Sequence, residues 1–122
     1  MNDHKLYLPA SGQDHAVSVT HLKVSVYYSK GGANYFNYNN EPSAIWCSIS
    51  PIERKPDGTQ SMMLFSGGKF QVEPATRLNQ KKVAEAFERV KAEIAAKTGK
   101  AWNIVQTVAA KCNVTLTEAA PA

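Results

Sequence analysis

Apolar and polar residues alternate along two stretches in the first half of the chain. In the first stretch, residues 22–28, the apolar positions are Leu22, Val24, Val26 and Tyr28. In the second, residues 44–50, they are Ile45, Cys47 and Ile49. A period of two places successive side chains on opposite faces of a β-strand, so both stretches are predicted to be strands with one buried face.

Shorter segments beside turn-forming sequences predict further strands. The turns Lys30-Gly-Gly-Ala33 and Lys55-Pro-Asp-Gly58 supply the glycine and proline geometry that a tight reversal of the chain needs. The apolar segments between and after these turns are Tyr35–Tyr38, Ser61–Phe65 and Lys69–Val72. We therefore expect an antiparallel sheet of four to five strands in the first two thirds of the chain.

The apolar period changes to that of a helix after residue 74. One face of a first helix is predicted from the apolar residues Val83, Phe87, Val90 and Ile94. Asn79 is expected to cap its start, and Gly99 to end it in the left-handed conformation. A second, shorter helix follows from the spacing of Trp102, Val105, Ala109 and Cys112.

Strands followed by helices indicate an α+β fold, in which one long and one shorter helix pack on one face of the antiparallel sheet. We expect residues 16–113 to form a single α+β domain. Residues 1–15, which contain Pro9 and Gly12, are predicted to be a flexible N-terminal arm. Residues 114–122 are predicted to be a C-terminal tail, which either adds an edge strand or frays.

Charge and composition add only a mild preference for a partner. The chain carries 14 basic and 10 acidic residues, for a net charge of +4. Residues 79–122 contribute +3 of this charge, from seven basic and four acidic residues. A modest basic excess suits a polyanionic partner. The polar first residues and the lack of a long apolar run favour a cytoplasmic protein without a signal peptide or membrane span.

Residues that could carry catalysis or bind metal do not form a recognised motif. His4, His15 and His21 lack the spacing of metal ligands, so we expect no metal site. Cys47 alternates with apolar neighbours and is predicted to be a buried, reduced thiol, as is Cys112. The sequence therefore favours a protein that is not an enzyme and needs no cofactor.

Aromatic residues offer a more specific hypothesis. Five of the eleven aromatic residues lie within residues 26–40. Strand alternation predicts that Tyr27 and Trp46 project from the sheet face opposite the core, together with members of the group Tyr35, Phe36 and Tyr38. Basic residues lie close by in the sequence, at Lys23, Lys30 and Arg54. Rings that stack on bases, with cations that neutralise phosphate, are what single-stranded nucleic-acid binding uses.

The same rings have a second interpretation. Exposed aromatic patches are often covered by a partner subunit or by another element of the fold. The rings would then be part of a protein interface, either in a homodimer or with another protein.

The segment from Val24 to Ile94 resembles a PUR repeat and, more distantly, a Whirly domain. The resemblance rests on an aliphatic first strand, the turn Lys30-Gly-Gly32 before Tyr35-Phe36, the strand Ile45–Ile49, the turn Asp57-Gly58 and the amphipathic helix. It implies a curved four-stranded sheet followed by a helix, dimerisation, and binding of single-stranded DNA or RNA. The implied binding residues are Lys30, Tyr35, Phe36 and Trp46.

These observations together predict a non-catalytic protein, expected to be a homodimer, that binds single-stranded DNA or RNA. The predicted binding residues are Lys23, Tyr27, Lys30, Tyr35, Phe36, Trp46 and Arg54. The alternative is a protein–protein interaction module, such as an accessory factor associated with a mobile element or phage, that uses the aromatic sheet face.

Overall fold

The structure, a computed structural model, describes residues 4–14, 17–31, 43–62 and 67–117, and it has the predicted α+β fold. The described elements are β1 (Lys5–Asp14), β2 (Val17–Ser29), β3 (Ala44–Arg54), β4 (Gln60–Met62), β5 (Gly68–Pro74), α1 (Gln80–Ala96), α2 (Gly99–Lys111) and β6 (Val114–Leu116). The predicted strand at 35–38 lies outside the described residues, and of the one predicted at Ser61–Phe65 the described part belongs to β4.

All pairings among the described strands are antiparallel, and three of them involve β3. It pairs with β2 along one edge over nine residues, from Ala44 to Ile52. On its other edge it pairs with β5 over residues 44–49 and with β4 over residues 52–54. Because β4 and β5 share this edge, the six described strands form a sheet five positions wide, continued beyond β2 by β1 and then β6.

The expectation of a flexible arm at residues 1–15 is wrong for Lys5–Asp14, which form β1. Pro9 and Gly12 mark an irregularity in strand register and do not end the strand. A Cβ atom at Gly12 would lie 2.5 Å from the Asn113 carbonyl oxygen and 2.9 Å from the Val114 Cα. Gly12 therefore allows β6 to approach β1 closely.

The C-terminal segment takes the first of its two predicted forms, an edge strand, over Val114–Leu116. These residues pair with Ala10–Gly12 of β1. The Thr117 N–H extends the contact by donating to the Pro9 carbonyl oxygen at 2.9 Å. β6, the last strand of the described chain, thus pairs with β1, the first.

The hydrophobic core lies between the sheet and the two helices, as the apolar pattern predicts. The sheet contributes alternate residues of its central strands, among them Leu22, Val24, Val26, Ile45, Cys47 and Ile49. The helices contribute Val83, Ala86, Val90 and Ile94 from α1, and Ala101, Val105, Val108 and Ala109 from α2. Of the predicted core residues, Tyr28 and Phe87 are partly buried at its margin.

The junction between the helices differs in detail from the prediction. Asn79 caps α1 as expected, accepting the N–H groups of Lys81 and Lys82. The left-handed residue that ends α1 is Lys97, with φ 57°, whereas Gly99 opens α2 at φ 77°. The Glu93 carboxylate crosses the junction and accepts the Ala101 N–H at 3.0 Å. A side chain of α1 thereby satisfies a backbone donor at the start of α2.

Gly99→Ala is expected to destabilise the protein more than Gly58→Ala. Both glycines have positive φ, 77° and 93°, so each alanine costs about 1–2 kcal/mol of backbone strain. A Cβ atom at Gly99 would also lie 2.5 Å from Glu93 Oε1, whereas at Gly58 it would meet nothing within 4 Å. Loss of the Glu93 contact should add about 0.5–2 kcal/mol. Urea unfolding of both variants measures the difference, and equal losses would show that Glu93 contributes nothing at this junction.

Candidate functional site

The sheet presents a second face, on the side opposite the helices, on which Ile52 is the fully buried member. Strand alternation and the pairing registers of β1, β2, β3 and β5 bring its side chains together. We call it the helix-distal face, and its members are Lys5, Tyr7, His21, Lys23, Ser25, Tyr27, Trp46, Ser48, Ser50, Ile52, Arg54, Lys69 and Gln71. Most of these side chains are half-buried. The face is consequently less open than sequence alternation alone suggests.

The described charges of the helix-distal face are all positive. The helix-distal face carries four cations, Lys5, Lys23, Arg54 and Lys69, and no carboxylate among the described side chains. Described carboxylates lie elsewhere: Glu73 pairs with Arg89 of α1, and Asp57 sits in the turn after β3. The whole chain is only mildly positive, but the described charges on the helix-distal face all have the same sign.

Tyr27 and Trp46 lie directly opposite each other on neighbouring strands of this face. The Lys69 ammonium lies 4.8 Å from the centre of the Trp46 ring, within the range of a cation–π contact. The indole Nε1–H of Trp46 is buried and finds no acceptor within the described part of the chain. A buried donor without an acceptor costs about 1–3 kcal/mol, so packing must hold this ring in place.

A second group of rings and cations lies towards the other end of β2 and β3. The Arg54 guanidinium carbon is 4.2 Å from the centre of the Tyr7 ring. The His21 ring meets Tyr7 edge-on, with ring centres 6.3 Å apart and planes at 89°. Thr20 Oγ1 accepts the Arg54 backbone N–H at 2.8 Å and lies 2.7 Å from His21 Nδ1.

The electrostatics of this group favour neutral His21. Burial, and then the charge of Arg54, lower the pKa of His21 below its ordinary value. At Nδ1, 2.7 Å from Thr20 Oγ1, the neutral ring can accept a hydrogen bond from the Thr20 hydroxyl. Arg54 is therefore the permanent charge of the group, and His21 becomes a second one only on acidification.

The structure brings four of the seven predicted binding residues onto one face, namely Lys23, Tyr27, Trp46 and Arg54. Lys30 is exposed just beyond the end of β2, where the neighbouring Gly31 N–H donates to the Ser43 hydroxyl. The other two predicted residues, Tyr35 and Phe36, lie outside the described residues.

Four residues of this face escaped the sequence analysis: Lys5, Tyr7, His21 and Lys69. Lys5 and Tyr7 fall within residues 1–15, which the sequence pattern predicts to be a flexible arm. The alternation of Lys5 and Tyr7 with Leu6 and Leu8 was the available signal. Lys69 lies in a predicted strand, but only the pairing register sets it beside Ser48 and near Trp46.

Cys47 and possible metal ligands are the candidate catalytic groups on which the described chain bears. Cys47 is buried, and burial together with the charge of Glu93 raises the pKa of its thiol to about 12. A thiol protonated at neutral pH is a poor nucleophile. The described residues contain no group of three or more histidine, cysteine or acidic side chains that could hold a metal ion.

The remaining observations concern the helices, the helix-distal face and the similarity of the chain to known proteins. None of the described helices is long and apolar enough to cross a membrane. Among the described residues, the helix-distal face brings Arg54 and Lys69 into contact with the rings of Tyr7 and Trp46. No protein-family model, curated protein or solved structure matches the chain, so the interpretation of this face rests on its own geometry.

Proposed function

We propose that this protein binds single-stranded nucleic acid on the helix-distal face, without catalysis. The observation that supports this most directly is the combination of four cations, no described carboxylate, and rings in contact with two of the cations. A polyanion is the partner that such a surface favours, because each phosphate it neutralises releases a counterion.

The dimensions of the face suit a short stretch of single-stranded nucleic acid. From Trp46 to Arg54, β3 extends over about 26 Å. Cations flank this path on β1, β2 and β5, at Lys5, Lys23 and Lys69. A segment of several nucleotides fits this length, within the roughly 4–16 nucleotides that single-domain binders of this kind cover.

A single strand is favoured over a duplex because the face offers rings in a half-buried sheet surface. Stacking on a side chain requires a base that is free of its own partner. Duplex readers commonly insert a helix into the major groove. Here the apolar faces of α1 and α2 are packed on the sheet, and the exposed face of α1 carries both signs of charge.

A homodimer and a cytoplasmic location belong to the proposal, as does a contribution from Lys30, Tyr35 and Phe36. The dimer is supported by the resemblance to PUR repeats, whose units pack in pairs. Sedimentation velocity measures it, and a single species with the mass of one chain would remove the dimer from the proposal.

The test is fluorescence anisotropy with a labelled single-stranded oligonucleotide and a duplex of the same sequence, at 50 and 200 mM salt. We expect tighter binding of the single strand, and weaker binding at the higher salt. Tyr27→Ala should weaken binding by about 1–3 kcal/mol, the worth of one stacked base. Phe87→Ala, which removes a half-buried ring from the opposite side of the molecule, is the matched control.

Two results would contradict the proposal. One is no binding of the single strand at 50 mM salt by a folded protein. The other is equal weakening by Tyr27→Ala and Phe87→Ala. A stable complex with another protein, in the absence of oligonucleotide binding, would instead favour the protein–protein interaction module.

A further inference from the structure

We propose that Arg54, supported by Tyr7, is itself a stacking platform for a nucleobase on the helix-distal face. The inference rests on the proposed function and specifies how one part of that surface recognises its ligand. The base would stack on the guanidinium plane of Arg54 and not on the tyrosine ring.

The arrangement of the two side chains is the first argument. Arg54 lies over the Tyr7 ring at 4.2 Å, so it occupies that ring face. His21 contacts the same ring edge-on. A base can stack on the covered face of Tyr7 only by displacing Arg54, whereas the Arg54 side chain is itself exposed.

The anchoring of Arg54 is the second argument. Its backbone N–H donates to Thr20 Oγ1 at 2.8 Å, which fixes the chain where the β2–β3 ladder ends. The residue is exposed, and none of the described carboxylates forms an ion pair with it. Its position is therefore set by the backbone and by Tyr7, while the residue stays exposed.

The chemistry of the guanidinium completes the inference. It is planar, weakly hydrated and always charged, and it stacks readily on flat rings. Its N–H groups lie in the same plane, so a base on its face leaves the edge free to donate to a phosphate. Lys69 over Trp46 is different, because an ammonium offers charge without a plane.

Charge-conserving substitutions test the platform. Arg54→Lys keeps the positive charge but removes the plane, and we expect it to weaken binding of a single-stranded oligonucleotide by about 5- to 150-fold. The salt dependence should stay close to that of the wild type, because the charge is retained. Tyr7→Leu should lower affinity similarly, whereas Tyr7→Phe should bind within about twofold of the wild type. Lys5→Arg is the control substitution at a cation without a described ring beneath it.

An abasic oligonucleotide of the same length separates stacking from phosphate binding. If Arg54 stacks on a base, wild type and Arg54→Lys should bind the abasic strand equally. Equal binding of the normal oligonucleotide by both proteins would overturn the platform and leave the proposed function standing. An equal loss on normal and abasic strands would also overturn it, by assigning Arg54 to phosphate. No binding by the wild type would overturn both proposals.

Discussion

Leu22→Ala is expected to lower the free energy of unfolding by about 2–5 kcal/mol, the range for a large side chain removed from a packed core. Leu22 lies in β2 between Leu8 of β1 and Pro51 of β3, and its exposed fraction is 0%. Truncation would leave a cavity beneath the helices that the neighbouring strands, held by their ladders, cannot close. Because small domains have only about 5–15 kcal/mol of stability in total, this variant should unfold at much lower urea concentration.

Leu78→Ala is the matched control for this substitution. Leu78 precedes the cap of α1 and is 55% exposed. The same chemical change should therefore alter the free energy of unfolding by no more than about 0.5 kcal/mol. Urea unfolding followed by circular dichroism compares the two variants. Comparable losses would contradict the assignment of the core to the helix-facing side of β2.

The double substitution Lys5→Gln/Lys69→Gln is expected to have the largest effect on oligonucleotide binding. Both lysines are exposed on the helix-distal face. Each phosphate neutralised on a single strand contributes about −0.7 to the slope of log affinity against log salt, so four cations give about −2.8. Affinity should then fall about 50-fold between 50 and 200 mM salt for the wild type, but only about 7-fold for the double variant.

Lys81→Gln/Lys82→Gln controls for the change in net charge. These two lysines are exposed in the first turn of α1, on the other side of the molecule. Their replacement should leave the salt slope close to that of the wild type. Equal reductions of the slope in both double variants would mean that net charge, and not the helix-distal face, governs binding.

Local pattern was sufficient to predict most of the elements but not the way they meet. The cap at Asn79 and the apolar stripe of α1 follow from side-chain chemistry within a few residues, and the structure confirms them. The sequence pattern does not predict β1, because Pro9 and Gly12 on their own are typical of loops. Their role as a site of irregular register, against which β6 packs, depends on a segment that begins at Val114.

The candidate site was likewise predictable from the sequence only in part. Alternation alone places Tyr27 and Trp46 on the side opposite their buried neighbours, and the structure brings them directly opposite each other. The contact between Tyr7 and Arg54 could not be predicted in this way. It joins the first and third strands across β2, so it depends on two pairing registers and on the reach of a long side chain.

The pairing of β1 with β6 has a consequence for folding during synthesis. Ala10 faces Leu116, a separation of 106 residues (116 − 10). Contacts between such distant residues form slowly, because a long loop must close before they are made. While the chain emerges from the ribosome, the edge of β1 at Ala10–Gly12 can receive β6 only after residue 116 has been released. Until then this edge remains open to pairing with other chains, which is the hazard that an unpaired strand edge presents.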